Sequence, residues 1–562
     1  MNPTITDAAP LPDDALAAFA AAVSAAIAAA YPDAAGAAVA FEAPRNPAFG
    51  DVATNVAFSL AKAARAKPQD VAAALIADAR QREPRLSSLF ASIDAVAGFI
   101  NLRLAPACWQ ASIARVLREG ETFGTMPPNG SRVSLEFGSA NPTGPLVVVQ
   151  GRTLSIGDVL AKALRFCGYD VFTEWIINDA GGQMDTLGRS LYARYRQRFD
   201  PAFAFPEEGY PGDYLIAIAQ RIADADGTKW VDAPQAEWLG YFSTFGRDVL
   251  VAEQRVTAKR FGVDYDLWQS ETELHDVGHV KAGLARLAEL GFSYERDGAI
   301  FFKATSFGDD KDRVLVRADG RPTYVCADVA YHYEKLQRAD RAIDILGPDH
   351  HGYIGRLKGI AAALGYPGKL DVIIAQQITL LRGSEQVNMS KRSGDIVTLD
   401  EILDEVGVDA ARFFFVMLAN DSPLNFDLAL AKEKSLENPV YYVQYGHTRI
   451  AGILRNAAAA DISAAGTGHG LQTLEHPAEL ALARRISEFP SVVQSVARHE
   501  APHRLARYAR DVAVDFHQFY TECRILIEDE PTRRGRLALC IAAKSILARV
   551  LALLGISAPE TM

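Results

Sequence analysis

The sequence predicts an α/β multidomain protein, with a small N-terminal α/β domain, a central domain on a parallel sheet and a C-terminal all-helical domain. Three observations carry this. Through the middle of the chain, apolar runs of strand character alternate with amphipathic helical stretches, and such crossovers make neighbouring strands parallel. An alternating run, Phe99-Ile-Asn-Leu-Arg-Leu104, closes a first segment that opens on a helix. From about residue 431 onward the helical period dominates alone. A chain of 562 residues has room for about three to four domains at roughly 100–200 residues each.

The first helix is marked by Leu16, Phe19, Val23 and Ile27, which recur at three and four residues behind Asp13 and Asp14. We delimit this domain at residues 1–118. The turn-rich stretch Gly124-Thr-Met-Pro-Pro-Asn-Gly130 is the linker. The central domain is placed at 125–430. Val133–Phe137 is its first strand. The turn residues Asn141-Pro-Thr-Gly-Pro145 follow, and then a helix with Ile156, Val159, Leu160, Ala163 and Leu164 on one face and Gly168 as its C-cap. Val171–Ile177, Ile343–Leu346 and Val372–Ile374 are later strands. Between about 195 and 295 the pattern turns helical and charged, an insertion. The helical domain spans 431–562. Its last helix aligns Ile546, Leu547, Val550, Leu551 and Leu554 before Gly555, and the Ala- and Gly-rich stretch 457–470 is a loop.

Nearly half the residues are hydrophobic and 23% are charged, a composition that buries a core. A net charge of −11 argues against a general polyanion coat, while a local basic surface suffices for a nucleic-acid partner. Cys108, Cys167, Cys326, Cys523 and Cys540 are odd in number and scattered, which points to no disulfide framework, no zinc site and a reducing cytoplasm. The N-terminus has no Lys or Arg before Arg45, unlike a secretory leader. No uninterrupted, strongly apolar stretch long enough to span a bilayer is expected, and no membrane partner.

The chemistry concentrates in three strings. Glu136-Phe-Gly-Ser-Ala-Asn-Pro-Thr-Gly-Pro145 connects a strand to a helix, where ligands sit beyond the strand ends and the helix N-terminus offers N–H groups to phosphate. By themselves these residues fit an ordinary connecting loop as well as a phosphate site. Asn388-Met-Ser-Lys-Arg392 places two cations on a polar loop, able to meet an anionic leaving group or simply to be solvated. Gly347-Pro-Asp-His-His-Gly-Tyr353 follows a strand. With no third ligand at suitable spacing, His350 and His351 suit contact with an amino acid or nucleotide better than a metal. Walker, dinucleotide-binding and serine-elbow patterns are absent.

Ser139-Ala-Asn-Pro-Thr-Gly-Pro-Leu146 resembles the first class I signature as arginyl-tRNA synthetases carry it, and Met389-Ser-Lys-Arg392 resembles the second. Ile177-Asn-Asp-Ala-Gly181, Tyr210-Pro-Gly-Asp-Tyr214, Asn438-Pro-Val-Tyr-Tyr-Val-Gln-Tyr445, the closing Ser557-Ala-Pro-Glu-Thr-Met562 and Gly50-Asp-Val-Ala-Thr-Asn55 are similar to further family segments, in order, over nearly the whole chain. The chain departs from the pattern twice. Val147-Val-Val-Gln150 stands where the family shows His-x-Gly-His, and Asn388 stands for a Lys.

The resemblance implies a Rossmann-like catalytic domain that joins L-arginine to tRNA(Arg) through an adenylate. ATP would come with Mg2+ held by phosphates and water, and the protein would be a cytoplasmic monomer. It implies leaving-group chemistry from Gln150, Ser390, Lys391 and Arg392. Asn141, Pro142, Thr143, Gly144, Pro145, Gly151, His351 and Met389 would meet ATP. Glu136 would take the α-amino group of arginine and Asp328 its guanidinium, beside Asn141, Tyr324 and His350. On sequence alone Asp328 could equally cap a helix through Tyr331 and Leu336, and Glu136 could face outward. Tyr441, Tyr442, Tyr445, His503, Arg504, Arg507 and Arg510, with Arg533, Arg534 and Arg536, suit a single-stranded anticodon loop. Tyr441, Tyr445, Arg504 and Arg507 are the tRNA contacts we single out. The altered first signature leaves two alternatives open: a relative that binds tRNA without activating arginine, and one serving a non-translational pathway.

Overall fold

The structure, a computed structural model, describes residues 11–44, 46–276, 278–383, 385–387, 397–460 and 470–562. The first helix runs Pro12–Ala30. Asp13 and Asp14 lie in its first turn, complementing the helix dipole, and Phe19, Val23 and Ile27 are fully buried. They pack over a three-stranded antiparallel sheet in which Phe99–Leu104 is the central strand, between Val52–Thr54 and Phe90–Val96.

The central sheet has five strands: Arg132–Phe137 (β1), Asp170–Ile177 (β2), Leu267–Ser270 (β3), Arg341–Leu346 (β4) and Leu370–Ile374 (β5). Their order is β5-β4-β1-β2-β3, all parallel. Helix Val148–Phe166 (α1) crosses from β1 to β2 and ends where expected, with Gly168 at φ +83°. β2 is followed by Gly182–Gln197 (α2), Tyr214–Asp226 (α3) and Gln235–Arg260 (α4), which share an apolar core of their own. The stretch read as a helical insertion is not helical throughout, because β3 lies within it and forms an edge of the sheet. Four residues on an edge leave too short an alternation to be legible. Tyr324–Arg338 (α5) leads into β4.

The C-terminal helices include Pro439–Ala459 (α6), His503–Glu522 (α7) and Glu530–Leu554 (α8). One continuous apolar core joins them to the N-terminal domain and the sheet. The joint is polar as well. The buried Arg412 guanidinium donates to Leu554 O at 2.8 Å and to Phe261 O at 3.0 Å, and pairs with Asp158 of α1. Arg484 reaches Asp51 at 3.2 Å. All five cysteines are free and buried.

Two helices, Pro12–Ala30 and α8, are long and apolar enough to cross a membrane by length and composition, which corrects the expectation that no stretch would be. Alanine supplies much of the hydropathy of Pro12–Ala30, and leucine that of α8. Most of α8 is buried inside the helical domain, so its apolar surface has a protein partner.

Candidate active site

The strand order reverses between β1 and β4, so the loops after their carboxyl ends flank the crevice where such sheets take ligands. The loop after β1 opens on Gly138, at φ +78°, where a side chain would meet Leu154 and the Tyr265 hydroxyl. Insertion residues clamp this loop. Tyr214 Oη donates to Thr143 O at 2.5 Å, and Gln254 Nε2 to Asn141 O at 3.1 Å and Gly144 O at 2.9 Å. Asn178, just past β2, donates to Asn141 Oδ1 at 3.1 Å. The loop ends at the N-terminus of α1. There Gln150 Oε1 accepts from Val147 N at 3.1 Å, so its carbonyl caps the helix and its amide NH2 is the end left for a ligand.

Glu136 does not face outward. It is 5% exposed and lies in register with Glu174 of β2 on one side and Asp344 of β4 on the other, a row of carboxylates across three strands. Over the row sits the fully buried Lys335 of α5. Its Nζ is 2.6 Å from Asp344 Oδ1, 2.8 Å from Glu136 Oε2 and 3.7 Å from Glu174 Oε1. Arg338 pairs with Glu174. His332 donates from Nδ1 to Asp328 O at 2.7 Å and places Nε2 2.9 Å from Asp344 Oδ2. Burial works against the charged forms of Lys335 and His332, yet the carboxylates hold Lys335 protonated and Asp344 lifts His332 above its ordinary value. Three carboxylates thus face the side chains of Lys335, Arg338 and His332. The other oxygen of Glu136 accepts from Ser139 Oγ at 3.0 Å, and that hydroxyl in turn accepts from Ile176 N at 3.0 Å.

Asp328 is not a helix cap: α5 begins at Tyr324 behind Thr323, which puts Asp328 in its second turn. Burial pushes its carboxyl up to about 6. Glu271, the residue after β3, is 6% exposed, and burial, then Asp328 and Asp179, push it up to about 7. Neither carboxylate has an ion-pair or hydrogen-bond partner among the described residues. The two carboxylates thus lie close enough to act on each other, Glu271 buried and Asp328 half-buried. Tyr324, at the start of α5, is 65% exposed, with its hydroxyl against Gly181, where φ is +83° and an added Cβ would lie 2.7 Å from that oxygen. Asp179 accepts from Ser270 Oγ and Thr272 N and is 3.4 Å from Arg247. These residues line a cleft of about 490 Å³ beside the ends of β2 and β3.

Other expected residues are placed differently. His350 and His351 are exposed on the turn after β4, with His350 Nε2 3.5 Å from Asp349. Pro142 is buried, and Pro145 lines a separate cleft with Phe245, Val256 and Asp400. A Cβ on Gly151 would strike Leu399 and Phe415, so this glycine serves helix packing on that side. Asn388, Met389, Ser390, Lys391 and Arg392 lie outside the described residues. On their C-terminal side, Thr398 bridges to Val147, and Leu399 N donates to Leu146 O at 2.7 Å.

The basic and aromatic residues of the helical domain fall into separate groups. Tyr441 and Tyr445 stack at 6.2 Å, Tyr445 stacks on His517, and Arg449 donates to both Tyr445 Oη and Tyr520 Oη. Sequence reasoning missed Arg449, His517 and Tyr520. Arg504 and Arg507 sit near the other end of α7, about 15–20 Å from His517 at 1.5 Å per residue. Arg533, Arg534 and Arg536 are engaged by Ile527 O, Glu530 and Glu479.

Three family models match. They are the arginyl tRNA synthetase N terminal domain at residues 17–104, the catalytic domain of tRNA synthetases class I (R) at 257–420, and the DALR anticodon binding domain at 443–562. An arginine–tRNA ligase of Syntrophotalea carbinolica is 44% identical over 528 residues, 93% of this chain and 94% of that protein. A solved chain from Campylobacter jejuni is 29% identical with a TM-score of 0.75, over 82% of this chain and all of its own. The Thermus thermophilus arginyl-tRNA synthetase has the same fold, with a TM-score of 0.75 at 23% identity over 97% of this chain and 100% of that one. The parallel sheet, the loop from Glu136 to Gln150 with its clamp from the insertion and the helical domain beyond thus come together in a chain that belongs to the arginyl-tRNA synthetase family.

Proposed function

We propose that this chain ligates L-arginine to tRNA(Arg) through an arginyl-adenylate formed from ATP. The observation that carries the substrate is the Asp328–Glu271 pair. Two neighbouring carboxylates, Glu271 buried and Asp328 half-buried, without an ion-pair partner among the described residues call for a cation, and a guanidinium presents its donors as a planar fork to two acceptors at once. Tyr324 would close over the aliphatic stem. Glu136 would take the α-amino group with the lone pairs that Lys335 and Ser139 leave free.

The arginine carboxylate attacks the α-phosphorus and pyrophosphate leaves. The terminal ribose hydroxyl of the tRNA then displaces AMP from the adenylate. Little acid–base chemistry is needed, and rate comes from positioning and from donors aimed at the developing charge. The N-terminus of α1, the Gln150 amide and Lys391 supply these donors in this reading, with Asn141, Thr143 and Gly144 holding the nucleotide side. Mg2+ would ride on the triphosphate. Among the described residues no three His, Cys, Asp or Glu side chains form a metal-holding group. Tyr441, Tyr445 and Arg449 would receive anticodon bases by stacking.

The test is charging of bulk tRNA with radiolabelled arginine against citrulline, which replaces the guanidinium by a neutral urea. Arginine should be esterified and citrulline not, because its carbonyl would face two carboxylates. The Val147-Val-Val-Gln150 string favours a second reading, a tRNA-binding relative that activates nothing. Tight tRNA binding with no arginine esterified would select it.

A further inference from the structure

We propose that Lys335 is a positioning residue for the amino-acid subsite, holding Glu136 in place to receive the α-amino group of the substrate. The inference rests on the arginine reading above and assigns a role to a residue that would not touch the ligand.

Strands in a parallel sheet run about 4.8 Å apart, so in-register side chains on one face are forced into proximity. Glu136 therefore has a like-charged neighbour on each side, Glu174 and Asp344, all within the protein. Buried carboxylates packed this way turn apart or shed charge unless a cation compensates them. Glu174 has its own partners in Arg338 and Ser134, and Asp344 shares His332. Among the described residues Glu136 has Lys335 alone as a cation, at 2.8 Å. A lysine ammonium has three donors. Asp344 and Glu136 take two of them, which fixes the Glu136 carboxylate by one oxygen while Ser139 holds the other. Glu136, one residue before the carboxyl end of β1, has both oxygens anchored, each with acceptor capacity left. Lys335 reaches this point from α5, the same helix that carries Tyr324 and Asp328, so one helix would set both ends of the substrate.

The test compares L-arginine with its deamino analogue, δ-guanidinovalerate, which keeps the guanidinium and the carboxylate. Affinities are measured by titration calorimetry on the full chain with tRNA bound. The wild type should prefer arginine by about ten- to a hundredfold, the worth of one charge-assisted hydrogen bond. In Lys335→Met the preference should fall to within about threefold while δ-guanidinovalerate binding holds. Asp344→Asn leaves Lys335 to Glu136 and should keep the preference. If Lys335→Met fails to fold, the double variant Lys335→Met/Asp344→Asn removes one charge of each sign, and it too should lose the preference. A Lys335 variant that still prefers arginine as the wild type does overturns the proposal. So does loss of preference in Asp344→Asn equal to that in Lys335→Met, which would make the row a structural block only. A wild type that binds neither compound overturns the arginine reading as well, an outcome separate from the other two.

Discussion

Replacing Asp328 by Asn should weaken the enzyme and stabilise the protein at once. Burial and the neighbouring Glu136 raise the Asp328 carboxyl from 3.8 to about 6, and Glu271 is raised to about 7 in part by Asp328 itself. A shift of about two units at about 1.36 kcal/mol each is about 3 kcal/mol of unfavourable ionisation at pH 8, less what partial solvent contact screens. Asn keeps the shape and removes this term. For a carboxyl raised in the folded state, the penalty is absent below the unfolded value near 4 and complete above the folded value near 6. The thermal midpoint without arginine should therefore rise at pH 8, and the gain should vanish as the pH falls toward 4. Catalysis moves the other way. Losing a charged partner for the guanidinium should lower kcat/KM for arginine by about 2–4 kcal/mol, roughly thirty- to a thousandfold. In the wild type, arginine affinity should fall as the pH drops through 7 and then 6, as Glu271 and Asp328 take up protons. Thermal scans at several pH values and steady-state charging read both arms. A variant that is less stable at pH 8, or one with unchanged kcat/KM, would refute the reasoning.

Four further outcomes are expected. Gln150→Glu preserves the helix cap but sets a carboxylate at the end meant for nucleotide, so it should fold like the wild type and lose most pyrophosphate exchange. Gln150→Ala should lose about 1 kcal/mol of stability with a smaller kinetic defect. Lys391→Ala should slow single-turnover arginine activation by about 100- to 1,000-fold with little change in tRNA affinity, since one preorganised donor to developing charge is removed; unchanged rates would take Lys391 out of the phosphate clamp. Arg412→Met should destabilise the chain in urea titrations by about 1–3 kcal/mol for each buried acceptor left unsatisfied, because Leu554 O and Phe261 O lose their donor while Asp158 keeps, among the described residues, only Lys162. Wild-type midpoints would show that the joint is held by apolar contacts alone.

Much of the site was legible because its strings are local. A strand, a tight Gly/Pro turn and a helix are dictated by neighbours in sequence, so the loop from Glu136 to Gln150 could be read directly. Asp328 was singled out as a candidate, and its alternative as a cap could be dismissed only because α5 starts four residues earlier. Glu271 was missed because it follows a four-residue edge strand inside a stretch that reads as helical. The tRNA residues were grouped by type, and the fold separates them: helical rise carries Arg504 and Arg507 away from His517.

By itself the sequence determined the central strands other than the edge strand β3, their alternation with helices, the helical C-terminal part and the signature strings, all of which follow from periodicity and turn chemistry within a few residues. Tertiary structure decided which charges meet. Glu136 and Lys335 are 199 positions apart, and nothing local predicts that α5 will lay an ammonium over three carboxylates brought side by side by strand register. The physical reason is that covalent neighbours set backbone conformation, whereas the ionisation and orientation of a buried group are set by whatever the packed sheet and helix place within a few ångströms of it.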